Sequence, residues 1–308
     1  ILQDSKGFMW FGTWDGLNKF DGYKFTIYKS RPGDLSNIPN NRIDYLHEDH
    51  WGNIWFQTYD GKFHRFNTRT EQFYNLPFAT NRYTYNIERD KHFCDSKNGE
   101  LWIGTAESGV VRVTTHPKTF EITTTEYSAS GSNQILSNTI NFIFEDSEKN
   151  IWIGNAKGLN SVNPSSNQIN TYQPNGQDNN AAFLSAFERK EQIWFGDDRG
   201  YIWIFSKKNN NFQKVKICNS GITGISVVGE NNIILTSNGD GIFVYNISNH
   251  SLTNFSSKNT TEIRNNNFLS VVVDSYNVAW IEGEQEGVFR FRLTDNSLKY
   301  FKPRTDEV

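Results

Sequence analysis

Residues 150–159 read NIWIGNAKGL: an apolar triplet centred on Trp, a Gly, a polar turn and a Gly followed by an aliphatic residue. Nearly the same phrase returns along the chain, as FMWFGTWDGL at 8–17, IWFQTYDGKF at 54–63, LWIGTAESGV at 101–110, IWFGDDRGYI at 193–202, IILTSNGDGI at 233–242 and AWIEGEQEGV at 279–288. The central positions are Trp10, Trp55, Trp102, Trp152, Trp194, Ile234 and Trp280, and their spacings of 45, 47, 50, 42, 40 and 46 average 45 residues. Self-similarity at such a period marks a repeat architecture, and roughly 40–50 residues is one four-stranded propeller blade.

Each copy has the internal pattern of four short strands. In the second, RIDYLHED (42–49), IWFQT (54–58), KFHRFN (62–67) and EQFYNL (71–76) are rich in aromatic and β-branched residues, with WGN and YDG between the first three. Such runs, bounded by Gly, Asn and Asp, read as strands, and no copy shows a helical period. Side chains alternate between faces along a strand, so in I-W-I-G both Ile lie on one face and the Trp on the other. A strand apolar on both faces must be covered on both. A propeller provides that cover by setting each blade between two neighbours. The expected fold is all-β, a seven-bladed β-propeller with four antiparallel strands per blade. One domain is expected over 1–308, with blades at roughly 1–30, 41–76, 86–127, 138–173, 181–216, 221–256 and 267–302.

Two other residue types follow the period. Asp4, Asp49, Asp95, Asp146 and Asp274 end the first strand and precede a turn, where Asp bonds its own backbone two residues on. Gly16, Gly109, Gly158, Gly241 and Gly287 open the third strand. The Gly that follows the Trp phrase is expected to let neighbouring backbones approach closely. Residues repeated in this way read as structural, because a catalytic group need occur only once.

Composition narrows the function classes. Aromatics are 15% of the residues and hydrophobics only 36%, so Trp, Tyr and Phe must supply much of the buried area. The formal charge of −3 offers no basic excess to attract nucleic acid or an anionic membrane. No apolar run approaches the ~20 residues that span a bilayer. The chain opens inside a repeat, so a fragment of a longer protein is expected, and its targeting signals are not readable here. Two cysteines, Cys94 and Cys218, are too few for a disulfide framework.

The phrase LSN…ED…GNIWIGT…GL resembles the two-component regulator propeller repeat. The stretches that carry the resemblance are ILQDSKGFMWFGTWDGLNKFDGYKF (1–25), LSNIPNNRIDYLHEDHWGNIWFQT (35–58) and LSNTINFIFEDSEKNIWIGNAKGL (136–159). The fifth and sixth copies depart, AFERKEQIWFGDDRG lacking the Asp and VVGENNIILTSNGDG lacking Asp and Trp, and weaker packing is expected there. The resemblance implies the periplasmic sensor region of a hybrid two-component histidine kinase. It also implies a second propeller and a β-sandwich in the same chain, a homodimer whose halves rearrange, and an oligosaccharide signal. It implies no cofactor and no nucleic-acid contact by this domain.

Candidate ligand residues are those left after the repeat consensus is subtracted from the loops joining the second and third strands and from the loops joining blades, since loops on a rigid scaffold carry function. The first set leaves Trp14, Asp15, Tyr59, Asp60, Glu107, Lys157, Asp198 and Arg199. The second set includes the long stretches RPGDLSNIPNN (31–41) and FATNRYTYNIER (78–89), the latter holding Arg82, Tyr83 and Tyr85. An aromatic ring beside Arg and carboxylates suits a sugar, whose apolar face stacks on the ring. The plainer reading is ordinary rim residues. His47 and His50 flank Glu48 and Asp49, but strand alternation points His47 and Asp49 together and Glu48 away, which weakens a metal reading. Trp51 has no counterpart in other copies and is expected to be exposed. FHRFN and VFRFR (288–292) read as solvated strand faces. The rival functions are a propeller glycosidase or lyase, which would need singular carboxylates flanking a bond, and a scaffold without a small ligand.

Replacing Trp152 with Ala is expected to cost about 3–5 kcal/mol. Thermal melting checks this, and a midpoint unchanged within error would contradict the buried position.

Overall fold

The computed structural model describes residues 1–31, 37–38, 40–76, 92–105, 108–116, 118–119, 121–173, 181–284 and 287–302. Among these residues, 28 strands form seven four-stranded sheets, each using consecutive strands in simple up-and-down order. The described pairings are all antiparallel within the sheets. This is the blade set of a seven-bladed β-propeller. No described helix is long and apolar enough to cross a membrane.

The chain divides into two compact units, one of Ile1–Glu145, Lys149–Ile151 and Val162–Ile169, the other of Asp146–Glu148, Trp152–Ser161 and Asn170–Val308. In the first unit the second sheet shows how alternation builds the core. Its strands are Ile43–Glu48, Ile54–Thr58, Phe63–Asn67 and Gln72–Asn75. All five residues of Ile54–Thr58 are buried. Ile54 and Phe56 join Trp10, Leu17 and Ile43 in one cluster, while Trp55 joins Phe93, Leu101, Ile103 and Val111 in the next. One strand thus feeds two cores, one on each face of its sheet. In the first sheet, Gly12 lies so close to Ile43 of the second that a Cβ would come within 2.8 Å of the Ile43 Cγ2. That contact is why Gly follows the Trp phrase.

The second unit repeats the scheme. Trp152 meets Phe195 and Phe205 of the fifth sheet at 5.2 and 5.1 Å. Trp194 joins Ile222, Leu235 and Phe243, and Ile234, standing where other copies have Trp, is fully buried with Phe268, Ala279 and Phe289. Trp280 departs from the expectation and is only half-buried, on a sheet face that also exposes Val272 and Val288.

The recurrent Asp has two roles. One carboxylate oxygen closes the turn: Asp49 accepts from the Trp51 and Asn53 amides at 2.9 and 2.8 Å. The other accepts the indole N–H six positions on, in Trp10–Asp4 (2.8 Å), Trp55–Asp49 (2.7 Å), Trp152–Asp146 (2.9 Å) and Trp280–Asp274 (2.9 Å). Asp95 does not belong to this series. Ser96 takes the place in the third sheet, accepting from the Glu100 amide at 3.2 Å, and the buried Trp102 Nε1 has no acceptor among the described residues.

Asp95 instead matches Glu48 and Glu188 in register, and these, together with Glu145, join consecutive sheets. Glu48 accepts from the Ser5 amide and hydroxyl, both at 2.7 Å, Glu145 from the Lys97 amide at 3.0 Å, and Glu188 from the Ser147 amide and hydroxyl at 2.8 and 2.7 Å. Asp95 faces His47 Nε2 at 3.3 Å.

Two surface expectations are corrected. Trp51 is part-buried and donates to the Gly99 carbonyl at 3.2 Å, so it seals the second sheet's turn against the third. FHRFN is wholly buried, with Arg65 stacked 4.7 Å from the Tyr74 ring. In VFRFR, Phe289 and Phe291 are buried, Arg290 is half-buried and only Val288 and Arg292 are exposed.

Asp49→Ala leaves a buried indole and turn amides without an acceptor and should cost about 2–4 kcal/mol. Ser96→Asp supplies the missing acceptor to Trp102, with Arg112 near its ring at 5.5 Å, and should add about 1 kcal/mol, read as a higher denaturant midpoint. Burial works to raise the Glu188 carboxyl, but bonds from Lys207 and Ser147 outweigh it and hold the group below its ordinary 4.5. A depressed folded value means stability present above pH 4.5 and lost as pH falls through that lower value. Melting scans from neutral to acid pH should show this loss, and Glu188→Gln should flatten it.

Candidate functional site

The turn after Met9–Thr13 carries Trp14 and Asp15, and the turn after Ile54–Thr58 carries Tyr59 and Asp60. Both turns are pinned at their base. The Thr13 hydroxyl accepts from the Asp15 amide at 3.1 Å, and the Thr58 hydroxyl bonds the Asp60 carboxylate. Gly16 has φ +110°, and a Cβ there would meet the Tyr28 carbonyl at 2.3 Å, so only Gly lets the first turn lie against its fourth strand. The Gly16 amide then donates to the Asn41 carbonyl at 2.8 Å, and the Tyr59 amide to the Arg42 carbonyl at 3.0 Å. These two bonds tie both turns to the segment that enters the second sheet.

They also place the Arg42 side chain between two aromatic rings. Its guanidinium carbon lies 4.9 Å from the Trp14 ring centroid and 4.0 Å from that of Tyr59. Trp14 is 80% and Tyr59 63% exposed, unlike the buried repeat aromatics. A guanidinium within ~6 Å of a ring face is held there by the ring quadrupole. Two large apolar faces therefore stand in solvent, fixed about one cation.

The flanking carboxylates are already engaged. Asp15 pairs with Lys29, and Asp60 with Lys62 at 3.2 Å. Burial alone would raise the Asp60 carboxyl, but bonds from Thr58 and Lys62 bring it below its ordinary value. Both acids are matched to lysines, and Arg42 places a guanidinium between the two rings. The arrangement can stack a flat apolar surface and attract an anionic or hydroxyl-bearing group.

The remaining candidates divide. Arg82, Tyr83, Tyr85 and Glu107 lie outside the described residues. In the second unit, Lys157 is exposed at a turn where its amide donates to the Asn155 side chain at 3.0 Å. Asp198 accepts from the Ala182 amide at 3.1 Å, and the Arg199 carbonyl accepts from Lys216 at 2.6 Å, so both hold loops in place. Arg42 was not among the candidates. It opens a first strand, and no local pattern shows that two turns from different sheets converge on it.

Neighbouring Asp197 is pushed up by burial despite bonds from Trp203, Tyr201 and Arg199. Acid–base work on a glycosidic bond uses two carboxyls whose environments split their pKa values beside the substrate. Asp197 is 1% exposed, with its oxygens occupied by the Arg199 and Tyr201 amides and the Trp203 indole. Both cysteines are free, and burial pushes the Cys94 thiol up to about 12. His47 and His50 find protein partners, Asp95 and the Trp51 ring, and no group of three metal-ligating side chains occurs among the described residues.

Residues 37–60 and 134–157 match the family model described as two component regulator propeller, so these two stretches are similar to that repeat. Histidine kinase P4 of Formosa agariphila is 27% identical over 254 residues, which is 78% of this chain and 18% of the kinase. The extracellular domain of a hybrid two component system from B. thetaiotaomicron aligns at 20% identity, over 93% of this chain and 36% of that one, with a TM-score of 0.62. PorZ, a surface component of the type-IX secretion system of Porphyromonas gingivalis, aligns at 15% identity, over 92% of this chain and 37% of its own, with a TM-score of 0.53. These structural likenesses establish a shared fold. The chain spans about a fifth of the curated relative it matches and little more than a third of these solved chains.

Proposed function

We propose that this chain, built from two-component regulator propeller repeats, is a non-catalytic ligand-sensing domain of a hybrid two-component histidine kinase. It stands outside the cytoplasm, in the periplasm, and reads an oligosaccharide released from a glycan. The kinase relative, which is matched over most of this chain, supports the sensor reading. The observation that carries the ligand class is the exposed Trp14–Arg42–Tyr59 cluster. Aromatic faces accept the C–H face of a sugar ring, and the guanidinium bonds hydroxyls or an acidic substituent. Occupancy would be passed on through rearrangement of a homodimer, with the second propeller and β-sandwich of the parent chain between this domain and the membrane.

Among the described residues of the cluster, no side chain is placed to act as a nucleophile or as a paired acid and base. Asp15 and Asp60 are held by lysines, which favours binding over turnover. A glycosidase or lyase would instead degrade what it binds.

Calorimetry against oligosaccharides from plant, algal and host glycans separates these functions. Saturable heat without new reducing ends supports the sensor, turnover supports the enzyme, and silence across the panel supports a scaffold. Arg42→Ala, and the double change Trp14→Ala with Tyr59→Ala, should weaken binding by at least about tenfold, or ~1.4 kcal/mol. The double variant should melt close to the parent protein, because both rings are exposed.

A further inference from the structure

We infer a second binding site, for one small aromatic ring, in a cavity of the second unit walled by Leu159, Tyr172, Phe183, Trp203 and Phe212. Its volume is about 330 Å³, at the low end of the ~300–1,000 Å³ that small-molecule sites occupy.

The walls meet edge to face. Phe183 and Trp203 lie 5.8 Å apart at 63°, Tyr172 and Phe212 5.5 Å apart at 67°, and Trp203 and Phe212 6.4 Å apart at 77°. These wall pairs do not stack on one another, although Tyr172 stacks on Trp152 (5.3 Å, 24°) and Lys214 Nζ lies 5.2 Å from the Trp203 ring centroid. A further ring can enter with the offset or T-shaped contacts that aromatic pairs prefer. The Trp203 plane is fixed, because its indole N–H donates to the Asp197 carboxylate at 2.9 Å. The site is thus shaped before any ligand arrives, which lowers the ordering cost of binding.

Trp203 breaks the repeat. It pairs with Phe195, the residue before the Gly of the second strand. The matching pairs elsewhere place Asn18 opposite Phe11, His64 opposite Phe56, Val111 opposite Ile103, Phe243 opposite Leu235 and Phe289 opposite Ile281. A large indole stands where other sheets use smaller groups, so it is not a requirement of the sheet itself.

The polar lining decides the ligand class. It comes from Thr171 and Gln173, and the Thr171 hydroxyl already accepts from the Asn160 amide nitrogen at 3.0 Å. A sugar ring would bring several hydroxyls against these apolar walls and leave most of them unpaired, which is costly. An aromatic ring with one polar edge satisfies the walls and needs only the rim. This inference does not depend on the glycan reading of the Trp14–Arg42–Tyr59 cluster.

The test is a ¹⁹F NMR titration of the whole chain with 5-fluoroindole. Saturable line broadening is expected, reversed by unlabelled indole and not by methyl β-D-glucopyranoside. Trp203→Ala should weaken binding by at least about tenfold. Gln173→Trp, which fills the mouth from an exposed position, should do the same while leaving the melting temperature near that of the parent, and it carries the test if Trp203→Ala does not fold. Absence of saturable binding, unchanged affinity in the folded variants, or displacement by the glucoside at the concentration that suffices for indole would overturn the assignment.

Discussion

One carboxylate ties the local and the non-local halves of each repeat together. In Asp4, Asp49 and Asp274 one oxygen takes the amides of the tight turn and the other takes the indole N–H from the second strand. Without that acceptor a buried indole N–H costs about as much as a lost hydrogen bond. With it, the largest side chain of the repeat is held in one orientation, and in the first and second sheets its ring enters the core shared with the following sheet. Turn closure, indole satisfaction and sheet packing are therefore one event. The third sheet shows the joint half-made, because Ser96 closes the turn and reaches no further. The fifth and sixth sheets do without it by other means, Trp194 bonding Gln192 at 3.3 Å and Ile234 presenting no polar atom at all.

Because the repeated residues are committed to turns and cores, the binding proposed for this chain falls to what the repeat leaves over. Trp14 and Tyr59 are spare aromatics on pinned turns, and Trp203 is a spare indole on a third strand. Each is oriented by a partner: Arg42 between the first two, Asp197 for the third. The same economy explains the acids. Asp15, Asp60 and Asp198 look available in sequence, yet each holds a lysine or a loop amide.

At the candidate site, the aromatics were legible because they depart from the consensus in loops whose position the period fixes. Arg42 was not, because its meeting with Trp14 and Tyr59 depends on amides of two turns reaching the same short segment, Asn41–Arg42. The series of Asp residues breaks in the third sheet, and the break is hidden in the sequence for a similar reason. Asp95 and Ser96 are adjacent, and only the register of Trp102 opposite Cys94 shows which of them stands where Asp49 stands. Arg65 and His64 looked solvated by residue type, but sheets on both sides bury that strand, and stacking on Tyr74 accommodates the guanidinium.

The sequence by itself determined the all-β class, the seven copies, the strand content of each and the burial of most phrase tryptophans. These follow from period-two alternation and a fixed repeat length, both of which are written along the chain. The tertiary structure decided which side chains from different sheets meet: Arg42 between two rings, Trp51 on Gly99, the glutamates reaching back to the preceding sheet, and the wedge around Trp203. Those contacts join residues about 15 to 50 positions apart. They depend on register and twist, which no local pattern records.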